Sequence, residues 1–214
     1  MIHVYYANIS ILNSINQEKI LSNFDNELRS KLQSYRRNDD KKRMLTSMYL
    51  LEKILIENKE CYELKDLQYT SYGRPSFLNA SFDFNISHSS DYVVVAFSYT
   101  SKVGIDIEIN KPLQFEPFIH LFTKEIWDEI YSSKNKYATF YKYWTAYESV
   151  VKADGRGVQL VESKTLIYKF DKILVGQTVW HKQTLTISLG YSCTLSSLIK
   201  NPHIQLHNVC EGFI

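Results

Sequence analysis

The chain has 214 residues, 44% of them apolar and 22% charged, with a formal net charge of +2. That much apolar surface supports a packed interior, while so even a charge balance argues against long nucleic acids or anionic membranes as partners, so any anion site must be local. Three widely spaced cysteines, Cys61, Cys193 and Cys210, form no CxxC pair and no Cys/His cluster fit for zinc, which points to a reducing compartment. The opening MIHVYYANIS has neither a basic leader nor a long apolar stretch, and no run of some 18 apolar residues occurs, so a soluble, cytoplasmic protein is expected.

In chain order, residues 2–6 are β-branched and aromatic and predict a strand, and the polar segment 17–35 predicts helix. Met44, Met48, Leu51 and Leu55 recur on one face of a long helix that starts with a cap at Asn38 or Asp39. Residues 82–86, 92–98 and 103–109 read as neighbouring antiparallel strands separated by turn residues. Helices over 123–132 and 136–153 follow, and 165–198 alternates like a meander of strands. The absence of a repeat, a low-complexity linker or a Pro/Gly hinge predicts one α+β domain, with a duplicated fold still open.

Several segments have the residue types for chemistry. In Val103-Gly104-Ile105-Asp106-Ile107-Glu108-Ile109 the alternation sends the isoleucines to one face and both acids to the other. Paired carboxylates suit a hard divalent cation, although a half-buried strand with solvated acids has the same pattern. Glu148 shares a helical face with Trp144 and Val151, so it is either a third ligand or the partner of Lys152 one turn on. Asp154-Gly155-Arg156-Gly157 ends that helix with flexible residues. Phe84-Asn85-Ile86-Ser87-His88-Ser89 runs from a strand into a polar turn able to meet a phosphate, with a structural His88 as the plainer reading. Basic residues from Arg29 to Arg43, and Arg74 in the Tyr72-Gly73-Arg74-Pro75 turn, add positive charge that solvation alone would explain. No GxxxxGK[ST], GxGxxG, HExxH or GxSxG pattern is present.

Taken in order, Arg43, the YGRP turn, FNISHS, GIDIE and Trp144-Thr145-Ala146-Tyr147-Glu148-Ser149 through Lys152 resemble the motif series of the surfactin-type 4'-phosphopantetheinyl transferases, over roughly residues 26–160. The resemblance implies two similar α+β halves related by a pseudo-twofold axis, 1–104 with coenzyme A phosphate contacts and 105–214 with metal ligands and carrier docking, the active site lying in the cleft between them. It implies an enzyme that moves the 4'-phosphopantetheine arm of coenzyme A to a serine of an acyl or peptidyl carrier protein. Asp106, Glu108 and Glu148 match the magnesium ligands. Arg43 and His88 match contacts to the 3'-phosphate, Lys152 matches a pyrophosphate contact that steadies the departing 3',5'-ADP, and Glu148 matches the base. Arg74, Lys31 and Ser87 fall at further cofactor-binding positions. A monomer acting on neither nucleic acid nor membrane is implied. Two readings compete: a non-catalytic module binding coenzyme A or a carrier, and a metal-dependent hydrolase of the coenzyme's pyrophosphate. Tyr147 stands where the family usually has lysine, which either weakens coenzyme binding or replaces an exposed contact with a packed ring. Phe115, Phe118 and Phe122 are docking points or core.

Overall fold

The computed structural model describes residues 1–157, 166–169 and 172–210; the expected meander thus falls partly outside the described residues. The mixed α+β fold is built on two larger sheets. The first takes β1 (Ile2–Asn8), β4 (Asp83–Ser89), β5 (Tyr92–Ser98) and β11 (Ile204–Asn208) in the order β11-β1-β5-β4. The second takes β6 (Val103–Ile109), β7 (Leu166–Lys169), β8 (Lys172–Val175), β9 (Thr178–Leu185) and β10 (Tyr191–Ser197) in the order β6-β10-β9-β8-β7. A two-stranded ribbon joins β2 (Leu67–Tyr69) to β3 (Pro75–Phe77) through the YGRP turn, where Gly73 adopts φ of +80°.

Among the described residues, five α-helices pack around the sheets: α1 (Gln17–Ser22), α2 (Asn26–Ser34), α3 (Asn38–Glu57), α4 (Lys124–Ser132) and α5 (Lys136–Asp154). The segment expected as one helix over 17–35 breaks in two because Asp25 caps a new start, its carboxylate accepting the Leu28 N–H at 2.8 Å. Arg37, not Asn38 or Asp39, is the cap residue of α3, and its side chain makes no capping bond. Gly155 ends α5 in the left-handed conformation, φ +83°, its N–H bonded to the Val151 carbonyl.

Burial explains the strand patterns. Val93, Val95 and Phe97 of β5 pack under α3, while Val94 and Ala96 pack against Val103, Ile105, Ile107 and Leu195 of the second sheet. Strand β5 is therefore buried on both faces and reads as a continuous apolar run. The layers run α3, first sheet, second sheet, α5. The expectation that β6 neighbours β5 by strand pairing is corrected: β6 leaves the first sheet and pairs antiparallel with β10. Strands β2, β3 and β11 were not foreseen, and β11 is the only parallel partner of β1 among the described residues.

Helix α5 lies on β6 and β10 through small residues. Thr145 meets Thr194 at 2.9 Å and Ser149 meets Ser196 at 2.7 Å, hydroxyl to hydroxyl. A Cβ on Gly104 would stand 1.9 Å from the Ser149 carbonyl oxygen and 2.5 Å from the Ala153 nitrogen. Backbone cannot yield as a flexible side chain would, so Gly104→Ala is expected to cost about 3 kcal/mol or more and to lower the melting temperature by roughly 6–12 °C, measured by thermal unfolding.

Candidate functional site

β4 and β6 are edge strands of different sheets, and side chains join them. Asp83 accepts the Val103 N–H at 2.8 Å, Asn85 that of Ile105 at 2.9 Å, Ser87 that of Ile107 at 3.3 Å and Ser89 that of Ile109 at 3.1 Å. Alternate residues of one strand thus serve alternate amides of the other, as the period of two dictates. Both serines pass the contact on: Ser87 Oγ donates to Asp106 Oδ1 at 2.8 Å, and Ser89 Oγ to Glu108 Oε2 at 2.6 Å.

From above, α5 lowers Glu148 and Lys152 onto these acids. Lys152 Nζ donates to Asp106 Oδ1 at 2.6 Å and to Ser87 Oγ at 2.9 Å. Its ion pair is therefore with Asp106 and not with Glu148 one turn away. Asp106 is 3% exposed, and its second oxygen, Oδ2, is buried without a hydrogen-bond partner. Burial pushes the Glu148 carboxyl up to about 7, with Asp106 and Glu108 adding to the shift and Lys152 opposing it. Burial also raises Glu108, against the pull of the Ser89 hydroxyl. Desolvation alone would lower the Lys152 ammonium, but Asp106 more than compensates and holds it above its ordinary value. Burial lowers His88, reinforced by the positive charges of Lys152 and Arg43, and so favours a neutral imidazole.

A cavity of about 410 Å³ gathers these groups. Asp106, Glu108, Glu148, Lys152, Ser87 and His88 line it together with Lys31, and Tyr35, Tyr69, Met44 and Met48 supply apolar wall. Lys31 lies over the Tyr69 ring, 4.3 Å from its centroid. Arg43 and Arg74 stand apart from that lining. Arg43 donates to the Ser90 carbonyl at 2.9 Å and pairs with Asp40. Arg74 lines a smaller adjoining cavity, but its guanidinium turns into the protein, toward the carbonyls of Lys152, Ala153, Phe84 and Val103 and the Asp83 carboxylate. It bolts the end of α5 to β4 and β6.

Among the described residues, no three His, Cys, Asp or Glu side chains stand close enough together to hold a metal ion. The donor set nevertheless fits a hard cation: the three acids offer only oxygen, one oxygen of Asp106 is buried and unpartnered, and of the two lysines lining the cavity Lys152 pairs with Asp106 while Lys31 lies against Tyr69. Tyr147 is a packed ring, 3% exposed, stacked on Trp144 and edge-on to Phe122, with its hydroxyl unpartnered. Phe115 and Phe122 are buried in the same aromatic cluster and Phe118 packs against it, so these three are core. Sequence reasoning passed over Asp83, Asn85 and Ser89 as a set, although their strict alternation along β4 was the available signal.

Residues 102–205 match the family model of the 4'-phosphopantetheinyl transferase superfamily, and residues 14–100 match that of the 4'-phosphopantetheinyl transferase N-terminal region. A Haemophilus influenzae relative is 36% identical over 121 residues, 54% of this chain and 52% of that protein. The 4'-phosphopantetheinyl transferase gsp of Aneurinibacillus migulanus is 29% identical over 189 residues, 80% of this chain and 75% of its own. The 4'-phosphopantetheinyl transferase Sfp of Bacillus subtilis is 28% identical over 148 residues, 67% of this chain and 65% of its own. The matched stretches thus span about half to three quarters of these relatives.

An acid whose folded value stands above its unfolded one binds more protons when folded, so it withdraws stability as pH rises between the two. For Glu148 that window runs from 4.5 to about 7. In chelator, the wild type should lose on the order of 1–3 kcal/mol relative to Glu148→Gln across it, read from urea unfolding at a series of pH values.

Proposed function

The chain belongs to the 4'-phosphopantetheinyl transferase superfamily, and on that premise we propose that it transfers the 4'-phosphopantetheine arm of coenzyme A to a serine hydroxyl of an acyl or peptidyl carrier protein, releasing 3',5'-ADP. The observation that carries this reading is the meeting of Asp106, Glu108, Glu148, Lys152 and His88 in one cavity. A substrate with a pyrophosphate and a 3'-phosphate needs positive charge and donors, and an attacking hydroxyl needs a base.

In this reading Asp106, Glu108 and Glu148 would hold a magnesium ion, which would supply charge neutralisation at the pyrophosphate. Lys152, charged and rigidly held, donates to the leaving phosphate as 3',5'-ADP departs. His88 offers an N–H to the 3'-phosphate, Lys31 and Ser87 complete the cradle, and Arg43, outside the cavity lining, adds positive charge beside His88. Arg74 contributes from its turn beside the nucleotide by holding backbone in place. Glu148 also takes the proton from the carrier serine as the serine oxygen bonds to phosphorus and the bond from phosphorus to the 3',5'-ADP oxygen breaks. The two larger sheets, packed face to face with α3 and α5 outside, fit two similar halves, with 1–104 serving the coenzyme and 105–214 the metal and the carrier. Three free thiols fit a cytoplasmic setting, and a cleft lined from one chain fits a monomer.

Intact-mass spectrometry of apo acyl and apo peptidyl carrier proteins, incubated with this chain, coenzyme A and magnesium, tests the proposal. A gain of one phosphopantetheinyl group is expected, with Asp106→Ala at least about a hundredfold slower. Unmodified carriers despite measurable coenzyme A binding would turn the reading toward a non-catalytic module.

A further inference from the structure

The geometry points to Ser89 as a positioning residue that aims the Glu108 carboxylate at the cation site, through a hydroxyl whose proton has one direction left to go. This rests on the transferase reading above. The Ser89 oxygen accepts the Ile109 N–H at 3.1 Å, so that side of the oxygen is taken. Its own proton points to Glu108 Oε2, at 2.6 Å. One hydroxyl therefore closes the last rung of the strand seam and fixes one carboxylate oxygen, leaving Oε1 for another ligand.

The neighbouring rung works alike. Ser87 accepts the Ile107 N–H and donates to Asp106, so both acids of β6 are held by serines two residues apart on β4. Asp106 has a second anchor in Lys152, whereas Glu108 has Ser89 as its hydrogen-bond partner among the described residues. A glutamate with three rotatable bonds at a strand end needs such a contact to hold one rotamer. Groups that orient metal ligands from behind commonly change metal affinity by about 10–100-fold when removed.

Mn2+ titration followed by electron paramagnetic resonance, with coenzyme A present, tests the assignment on Ser89→Ala, Ser89→Thr and Glu108→Ala. Ser89→Ala should bind Mn2+ about 10–100-fold more weakly while its coenzyme A affinity in chelator stays that of the wild type, and Ser89→Thr, which keeps the hydroxyl, should restore binding. Should Ser89→Ala unfold, Ser89→Cys, a weak donor of similar size, takes its place with the same expected loss. Wild-type Mn2+ affinity in the variant lacking the hydroxyl, alongside loss in Glu108→Ala, would overturn the Ser89 assignment and leave the transferase reading standing. A wild type that binds no Mn2+ at all would overturn both.

Discussion

The side-chain seam between β4 and β6 is the interaction on which the rest of the molecule depends. An edge strand has a row of backbone amides that must find partners, and β6, with β10 on its other side, meets that need through polar side chains instead of another backbone. Each such bond is worth about 0.5–1.5 kcal/mol net, but an amide left unpaired in this interior costs about 1–3 kcal/mol, so the four rungs are held together more by the penalty of breaking them. Asn85 and Ser87 are buried at 4% and 5% exposure, where satisfied polar networks fix one geometry. The acids of β6 inherit that fixed geometry.

The second constraint is how close α5 comes. Gly104 lets helix backbone rest on strand backbone, and the paired hydroxyls of Thr145, Ser149, Thr194 and Ser196 satisfy one another in the gap. Because Gly104, Asp106 and Glu108 lie on the same face of β6, the contact that seats the helix also sets the height of Lys152 above Asp106. Arg74 locks the far end, so the position of the lysine is defined by strand, helix and turn together. The charge imbalance, three acids against the ammonium groups of Lys152 and Lys31, is tolerated at the centre of a frame this rigid and would be relieved by a further cation.

Much of this was legible in the sequence, for identifiable reasons. The alternation in β6 was clean because one face packs on the first sheet and the other faces α5, and the long helices had apolar stripes against a single layer. Glu148 and His88 were visible as polar groups in awkward company, and the structure brings both to the cavity. What stayed hidden depends on distant residues. The pairing of β11 with β1 links residues that no local pattern connects, and the departure of β6 to a second sheet turns on side chains of β4 that read individually as ordinary strand polarity. Arg74 looked like a turn residue open to a phosphate, because nothing near it in sequence reveals that all five of its oxygen partners on other elements lie on β4, β6 and α5. Tyr147 became core because the aromatic cluster around it is assembled from α4, α5 and the segment before them.

The return of β11 to the first sheet also governs how the molecule can be made. Ile2 pairs with Ile204 and Tyr6 with Asn208, so β1 waits about 200 residues of synthesis for one of its two neighbours. Until residue 208 has been translated, β1 has an open flank of unpaired backbone, the kind of surface through which nascent chains join one another. For this protein, the flank of β1 is therefore an edge open to misassembly throughout the interval between the translation of β1 and that of β11.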